Sequence, residues 1–399
     1  MKRRGFSYVL VLLLIPTTML ICFNNPLSAT AAEVPGVGKD YVKVGSFMAI
    51  TGILARMVAE GEAGFRSYLN FINEKGGVHG RKIEVLTEDD GFSETKALMA
   101  AKKLVERDKV FMLFHTIGSG PTMATLPYIA ATGIPFIAPG CGSRVVCEPL
   151  KRNIFGSLWG VYGYMAEALL PYLVNNLGYK KIAYMHQNED VAKEMLELVR
   201  AKMNEMGLKL VAEVPFERGV AQYGIHLAKV RAAAPEVVVF QSSTADIARA
   251  IVQAREMDFR AVFSGVTPMS DRILLDLAGK DAEGAIAASP LLPLDSDRPA
   301  MVQFRELLKK YYPNTKPGMW GCLGFGAGKV LVEVLQRTGP NLSWENVIKA
   351  AETMRNWEIG IGPPITYTPE DHSGTRGVMI LKVINGKFVP QTDWFYPRK

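Results

Sequence analysis

Short apolar runs alternate with amphipathic segments along most of the chain. Strands of a buried parallel sheet typically appear in a sequence as short, nearly continuous apolar runs. The first series of such runs is Tyr41–Met48, Ile83–Leu86, Val110–Phe114 and Ile134–Ala138. After Arg152 the alternation restarts, with predicted strands at Lys181–Met185, Leu208–Val214, Glu236–Phe240 and Ala261–Ser264. Two successive βα series predict an α/β protein with two open, mostly parallel sheets, each covered by helices.

The segments between these runs repeat apolar residues at helical spacing. The predicted helices include Pro121–Ala131, Tyr162–Asn175, Val191–Met206, Tyr223–Ala233 and Asp246–Met257. From about Arg298 the pattern becomes helical, with helices predicted at Met301–Tyr311, Trp320–Arg337 and Trp344–Met354. A final strand pair surrounds Asn385-Gly386, a dipeptide typical of tight hairpin turns.

In such sheets, ligands bind outside the carboxyl ends of the strands. This rule selects loops from both series: Ala49–Met57, His115–Gly120, Pro139–Ser143, His186–Val191, Gln241–Thr244 and the pair Val266-Thr267. A ligand held by these loops would lie between two lobes.

The N-terminal segment has the pattern of a secretory signal peptide, predicted over residues 1–31. Lys2, Arg3 and Arg4 precede an apolar run, and Ala29-x-Ala31 fits a signal-peptidase site. A membrane anchor is the alternative, but Pro16 and two threonines interrupt the run before it reaches about 20 clean apolar residues. Lipidation at Cys22 is disfavoured because no small residue precedes it in the usual position.

Composition limits the possible partners. The chain has 399 residues and a formal charge of +7, and removal of residues 1–31 takes away three positive and no negative residues, leaving +4. No long basic run remains, so a nucleic-acid partner is not indicated. A mean hydropathy of +0.09 argues against a polytopic membrane protein. After export, Cys141 and Cys147 either form a disulfide or stay as free thiols, and Cys322 is predicted to be buried in a helix.

The usual signatures of catalysis are not assembled. Gly324–Lys329 lacks the residues of a phosphate-binding loop and is better explained by small residues at a helix contact. The five histidines have no metal-ligand spacing. The adjacent acids Asp89-Asp90 are more typical of a turn. The sequence therefore predicts no enzyme activity, no cofactor and no metal.

The stretch from Gly45 to Gly140 resembles the leucine/isoleucine/valine-binding family of extracytoplasmic solute-binding proteins of ABC importers. The resemblance is carried by Thr51-Gly52, Gly64, the run Ile72–Gly80 (INEKGGVHG), Asp89-Asp90 and Gly133-Ile134-Pro135 to Pro139-Gly140. It implies the type I periplasmic-binding fold: two Rossmann-like lobes joined by three crossover segments that close over a small solute. It also implies a periplasmic, monomeric protein that delivers its solute to an ABC permease in the inner membrane.

The lobes implied are residues 40–157 with 289–374, and residues 158–288 with 375–399. Hinges are expected near Phe155–Leu158, Ala287–Pro290 and Asp371–Arg376. The carboxylate anchor of the family falls on Gly118-Ser119 and on Cys141-Gly142-Ser143. Backbone N–H groups dominate such a site, so glycine is acceptable there and this half is expected to be intact.

The ammonium-binding half of the family site is altered here. The family glutamate falls on Val266, two tyrosines fall on Val191 and Ser243, and the tryptophan of the first loop falls on Met57. An unpaired buried ammonium costs several kcal/mol. Ordinary amino-acid binding would thus be lost, unless Glu189, Asp190 or Asp246 substitutes.

Two branches of this hypothesis follow. The slightly favoured one is a carboxylate ligand with an apolar or aromatic body and no amine, lined by Met57, Trp159, Tyr162, Val191 and Val266. The other is leucine, isoleucine, valine or another hydrophobic amino acid held by a displaced acid. Trp159 and Tyr162 belong either to the pocket or to the core. Hypotheses from other classes are a sensor ectodomain, which would need a partner to relay its signal, and an exported enzyme.

Overall fold

The computed structural model describes residues 34–52, 54–156 and 158–396. The predicted signal peptide, residues 1–31, lies outside these ranges, as do Cys22 and the last three residues of the second predicted lobe.

The first sheet has five strands in the order β2-β1-β3-β4-β5. Their bounds are β1 Tyr41–Met48, β2 Lys82–Asp89, β3 Met112–Phe114, β4 Phe136–Ile137 and β5 Ile154–Phe155. All neighbouring pairs in this sheet are parallel. Helices connect β1 to β2, β2 to β3 and β3 to β4, whereas β4 and β5 are joined by a longer segment with one 3-10 turn, Arg144–Val146.

The second sheet has seven strands in the order β14-β13-β10-β9-β8-β6-β7. Its strands are β6 Ile182–Gln187, β7 Ala212–Phe216, β8 Val237–Gln241, β9 Val262–Gly265, β10 Ile286–Ser289, β13 Met379–Ile384 and β14 Lys387–Pro390. Strands β6 to β10 pair in parallel, whereas β13 and β14 are antiparallel additions at one edge. A separate pair, β11 Thr366–Thr368 and β12 Asp371–Gly374, is antiparallel.

Helices cover both sheets. They are α1 Ala55–Glu74, α2 Glu94–Lys102, α3 Ser119–Thr132, α4 Tyr162–Pro171, α5 Asp190–Glu205, α6 Gly224–Ala232, α7 Thr244–Glu256, α8 Arg272–Ala278, α9 Pro299–Tyr311, α10 Met319–Thr338 and α11 Trp344–Ala351. Helices α2 and α4 each continue into a π-helical turn, Lys103–Arg107 and Tyr172–Asn176. Among the residues that the structure describes, no helix has the length and apolar character needed to cross a membrane.

The chain passes between the two sheets three times. It leaves the first sheet after β5, returns after β10 to place α9, α10 and α11 in the core shared with β1 and α1, and enters the second sheet again at β13. The backbone N–H of Gly156 donates to the carbonyl of His372 at 2.6 Å, so the first and last crossing segments lie side by side. The predicted α/β class with two parallel sheets is confirmed, and the exact lobe boundaries stay a prediction.

Helices α1 and α10 approach each other so closely that only glycine fits at their contact. A Cβ on Gly64 would lie 1.9 Å from the carbonyl oxygen of Gly321, and one on Gly324 would lie 2.0 Å from that of Gly61. The Gly324–Lys329 segment is therefore a helix contact, as its sequence indicates, and this contact fixes the position of Trp320 at the start of α10.

Two strands of the second sheet differ from the prediction: β7 begins later than expected, and β10 is not predicted at all. β7 begins at Ala212, four residues after the predicted start, because Leu208 and Leu210 pack against the core before the strand begins. Ile286–Ser289, which contains two alanines and a serine, forms the buried strand β10, and the pattern of apolar runs does not predict this strand. The hairpin around Asn385-Gly386 is confirmed as β13 and β14.

Candidate functional site

A cavity of about 360 Å³ opens at the carboxyl ends of the strands and takes side chains from both sheets and the first crossing. From the side of the first sheet it is lined by Leu54, Met57, Phe92, Gly118, Ser119 and Trp320. From the crossing and the second sheet it is lined by Trp159, Tyr162, Gln187, Glu189, Val191, Arg218, Gly219, Gln241, Ser242, Ser243, Thr244, Ala245, Asp246, Arg249 and Pro268. The cavity lies where the strand-end rule places a ligand.

The N-terminus of α3 forms one wall of the cavity. The backbone N–H groups of Ser119 and Gly120 belong to the first helical turn, which has no carbonyl partner within its own helix. Gly118 precedes the helix with φ 126°, and a Cβ there would lie 2.9 Å from the ring of Phe92. Glycine is thus required both by the backbone and by the packing of Phe92. Such a helix start favours a negatively charged group.

Aromatic rings form a second wall. The ring centroids of Trp159 and Trp320 are 4.7 Å apart, with the planes tilted by 60°. A Cβ on Gly140 would lie 2.6 Å from the Trp159 ring, and one on Gly142 would lie 2.5 Å from the Tyr162 ring. The Pro-Gly loop therefore lies directly behind both rings. Trp159 and Tyr162 line the cavity and are also nearly fully buried, and their contact with a ligand stays a prediction.

Asp246 is the more extensively paired of two acids in the cavity wall. Its Oδ1 accepts from the Tyr223 hydroxyl at 2.8 Å and from the Arg249 guanidinium. Its Oδ2 accepts from the hydroxyls of Ser242 at 2.9 Å and Ser243 at 2.7 Å. The charge of this carboxylate is thereby engaged by protein donors on both oxygens.

Glu189 is the other acid. Its Oε2 accepts from Gln187 Nε2 at 3.1 Å and lies 3.5 Å from an Arg218 nitrogen. Burial raises the pKa of Glu189, while Arg218 acts in the opposite direction. The guanidinium of Arg218 also lies over the Phe92 ring, 4.5 Å from its centroid. Arg218 thus connects the second-sheet side to the first-sheet side across the cavity.

Gln241 supplies a buried amide to the same wall. Its side chain is 2% exposed, and its Oε1 finds no hydrogen-bond donor within the described ranges. The hydroxyl of the neighbouring Ser242 is not a donor to this oxygen, because it contacts Asp246 Oδ2 at 2.9 Å and Gln187 Oε1 at 3.3 Å. Buried amide oxygens without donors are costly.

Several predicted site residues line the cavity: Met57, Gly118, Ser119, Trp159, Tyr162, Val191 and Ser243. Four others lie behind its surface. Gly142 gives its N–H to Ser119 Oγ at 3.1 Å, and the Ser143 hydroxyl donates to Glu194 of α5. Cys141 is buried against Ser119, and Val266 is fully buried in the core of the second sheet. Direct ligand contact by these four stays a prediction.

The three cysteines of the described ranges are buried. Cys141, Cys147 and Cys322 are free thiols and all three are buried, so the disulfide alternative for Cys141 and Cys147 is not realised in the structure. Burial raises the pKa of Cys141 to about 12. Within the described ranges, no three histidine, cysteine, aspartate or glutamate side chains lie together as a metal site would require.

Sequence reasoning missed Arg218, Gln241, Phe92 and Trp320 as cavity residues. Arg218 follows β7, whose end was misplaced, and Trp320 begins a helix that no strand-end rule selects. Phe92 lies two residues beyond Asp90, next to the end of β2, and that loop was not selected. Gln241 is the first residue of the loop Gln241–Thr244, which the strand-end rule selects, but the sequence pattern does not indicate that its side chain lines the cavity.

The family model described as periplasmic binding protein matches residues 41–387 of the chain. An amino acid binding protein of Pseudomonas aeruginosa is 28% identical over 192 residues, which is 48% of this chain and 51% of that protein. The chain thus matches about half of the length of this relative. Leu/Ile/Val-binding protein homolog 3 of Brucella melitensis is 22% identical over 349 residues, covering 87% of this chain and 93% of that protein.

Solved structures share the fold over nearly the whole chain. A branched chain amino acid ABC transporter protein from Thermus thermophilus with bound valine has a TM-score of 0.83 at 24% identity, covering 90% of this chain and 97% of that one. A solute binding protein from R. palustris in complex with benzoate has a TM-score of 0.78 at 18% identity, covering 89% and 98%. One fold therefore holds an amino acid in one of these proteins and an amine-free acid in the other.

Proposed function

The chain belongs to the periplasmic binding protein family, and from this premise we propose that it captures a small amine-free carboxylate with an apolar or aromatic body. It would do so as the periplasmic solute-binding component of an ABC importer, acting as a monomer that delivers its solute to a permease in the inner membrane. It would carry out no catalysis.

The observation that carries the ligand class is the pairing of both acids in the cavity wall. Asp246 accepts from Tyr223, Arg249 and two serine hydroxyls, and Glu189 accepts from Gln187 and contacts Arg218. An α-ammonium approaching Asp246 would have to displace one of these four donors, and at Glu189 it would have to share the carboxylate with Arg218. Unpaired buried charge is strongly unfavourable, so a ligand without an amine fits this wall better.

The remaining walls suit an acid with an apolar body. The first turn of α3 offers backbone N–H groups and the positive end of a 14-residue helix to a carboxylate. Leu54, Met57, Trp159, Val191 and Trp320 offer apolar surface to the rest of the molecule. A few polar groups in a mostly apolar cavity are typical of small-molecule sites.

Transport follows from the two-sided cavity. A solute that contacts both sides stabilises the closed arrangement, because only that arrangement makes both sets of contacts. The three crossing segments near Gly156, Pro290 and Arg376 would act as hinges. The permease would distinguish the closed form from the open one.

A hydrophobic amino acid is the second candidate, and Glu189 is the observation that favours it. Its contact to Arg218, at 3.5 Å, is longer than a strong charge-assisted hydrogen bond. If Arg218 moved to the solute carboxylate, Glu189 would be able to accept an ammonium in its place.

A thermal-shift screen tests the proposal. Wild-type protein would be heated with leucine, valine, phenylalanine, benzoate, 3-phenylpropanoate and 4-methylpentanoate. A ligand that binds only the native state stabilises it by about 2.7 kcal/mol at a hundredfold excess over Kd. Shifts with the amine-free acids support the proposal, and shifts confined to the amino acids contradict it.

A further inference from the structure

Arg218 occupies the boundary between two adjoining cavities. It lines the site cavity of about 360 Å³ and also a more polar neighbour of about 590 Å³. Glu189 and Val191 line both cavities as well, while Gly120 of α3 faces the outer one. The Arg218 side chain is 45% exposed, so part of its guanidinium is open to a second partner.

The guanidinium of Arg218 lies close to the N-terminus of α3, although the two come from opposite sides of the cavity. It lies on the ring of Phe92, 4.5 Å from the centroid, and Phe92 in turn packs directly on Gly118. One aromatic ring therefore separates the arginine from the residue that starts the helix. Stacking on an aromatic face also fixes the plane of a guanidinium.

The charges in the cavity wall leave Arg218 as the cation with the weaker partner. Arg249 is committed to Asp246 through a short contact one helical turn away. Arg218 reaches Glu189 only at 3.5 Å. A guanidinium at this distance from a carboxylate gains less than one in the bidentate geometry that arginine and carboxylates prefer.

We propose that Arg218 binds the carboxylate of the solute from the second-sheet side, opposite the N-terminus of α3, through guanidinium N–H groups that do not contact Glu189, so that its contact to Glu189 is kept while Phe92 holds the plane of the guanidinium. One anion would then be shared by both sides of the cavity, and its binding would favour closure directly. This assignment rests on the proposed function, since it requires a carboxylate-bearing solute. It makes Arg218 the residue that selects acids over neutral molecules of the same shape.

The test compares an acid with its amide in wild type and in variants. The probes are 4-methylpentanoate and 4-methylpentanamide, which share one apolar body and differ in charge. The variants are Arg218→Gln, Arg218→Lys and, as a matched control, Arg200→Gln. Arg200 is a half-exposed arginine that pairs with Glu213 and does not line the cavity. Calorimetry gives the affinities, and thermal unfolding without ligand verifies that each variant is folded.

Arg218→Gln is expected to weaken binding of the acid at least tenfold, because charge-assisted hydrogen bonds are lost. Binding of the amide should change less than threefold, so the preference for the acid falls. Arg218→Lys keeps the charge but not the planar fork, and should lie between Gln and wild type. Arg200→Gln should bind both probes like wild type.

Two results would overturn the assignment, and they are distinguishable. If wild type binds the acid and folded Arg218→Gln binds it equally well, the assignment to Arg218 is wrong and the proposed ligand class stands. If wild type binds leucine but not 4-methylpentanoate, the proposed ligand class fails and the assignment falls with it.

Discussion

The indole Nε1 of Trp320 donates a 2.6 Å hydrogen bond to Oδ2 of Asp271. Trp320 lies in the first turn of α10, which packs against α1, whereas Asp271 is the N-cap of α8 over the second sheet. The same indole ring lies beside Trp159 in the cavity wall. This bond therefore ties the two sides of the molecule together directly next to the candidate site.

Trp320→Phe is predicted to destabilise the protein by about 1–3 kcal/mol, because it leaves the buried Oδ2 of Asp271 with only the longer 3.4 Å contact from the Thr244 hydroxyl. Urea unfolding gives the change in the free energy of unfolding. Ligand affinity should fall as well, since the lost bond connects the two sides in the closed arrangement. Trp357→Phe, at a half-buried tryptophan away from the cavity, is the control. Equal effects of the two substitutions would contradict the role given to the Trp320–Asp271 bond.

Glu60 of α1 is a buried acid, and its Oε1 accepts a hydrogen bond from the backbone N–H of Gly321 at 3.0 Å. Burial first, and then the charge of Asp271, raise the pKa of Glu60 to about 7. A folded-state pKa above the unfolded value means that the native state binds the proton more tightly. The stability from this group is therefore complete below about pH 4.5 and is lost as the pH rises through 7.

Glu60→Gln should remove this dependence. Between pH 5 and pH 8 the wild type should lose up to about 3 kcal/mol more of its unfolding free energy than the variant. Urea unfolding at both pH values provides the measurement, with Glu205→Gln as an exposed control. Parallel pH profiles for wild type and Glu60→Gln would show that Glu60 does not hold a shifted proton.

His115 should make the stability depend on pH in the opposite direction from Glu60, and at lower pH. The ring is buried against Phe65, with centroids 4.8 Å apart, and burial lowers the pKa of His115 to about 4. The unfolded chain takes up this proton near its ordinary value of 6.5. Stability from neutral His115 is thus complete above about pH 6.5 and falls by up to about 3 kcal/mol as the pH drops through 4.

His115→Phe keeps an aromatic ring next to Phe65 and has no proton to gain. Its unfolding free energy should decline less than that of wild type between pH 6.5 and pH 4.5, as measured by urea unfolding at a series of pH values. His79→Phe, at an exposed histidine, serves as the comparison. An unchanged decline in His115→Phe would assign the acid sensitivity to other groups.

Gly118→Ala is predicted to damage the site more than the fold. The φ of 126° disfavours any side chain, and the added Cβ would approach the Phe92 ring to 2.9 Å. We expect a loss of about 1–3 kcal/mol in stability and a loss of ligand affinity as Phe92 is displaced. Gly133→Ala is the matched control, because Gly133 ends the same helix at φ 73° with nothing within 4 Å of its Cβ. It should cost stability but leave affinity unchanged, so equal losses of affinity would contradict the site.

Most of the fold could be predicted from the sequence, because buried parallel strands consist of nearly continuous apolar residues. Sequence reasoning missed β10 because Ala287 and Ala288 are buried there by close packing rather than by bulk. It placed Val266 in a ligand loop; in the structure β9 extends to Gly265 and Val266 is buried in the core of the second sheet, so its contact with a ligand stays a prediction. It missed Arg218 because the contact to Phe92 joins residues far apart in the chain, and no local pattern encodes such a contact.

Two ligands that differ only in the α-amino group test directly whether the cavity binds an amine-free carboxylate. Leucine and 4-methylpentanoate share the same carboxylate and the same apolar body. Isothermal titration of the wild-type protein with each gives two dissociation constants. We expect 4-methylpentanoate to bind at least tenfold more tightly than leucine, which corresponds to about 1.4 kcal/mol. Tighter binding of leucine would contradict the proposed ligand class. The ammonium of leucine would then have a binding partner in the cavity, although Glu189 and Asp246 are already paired with protein donors.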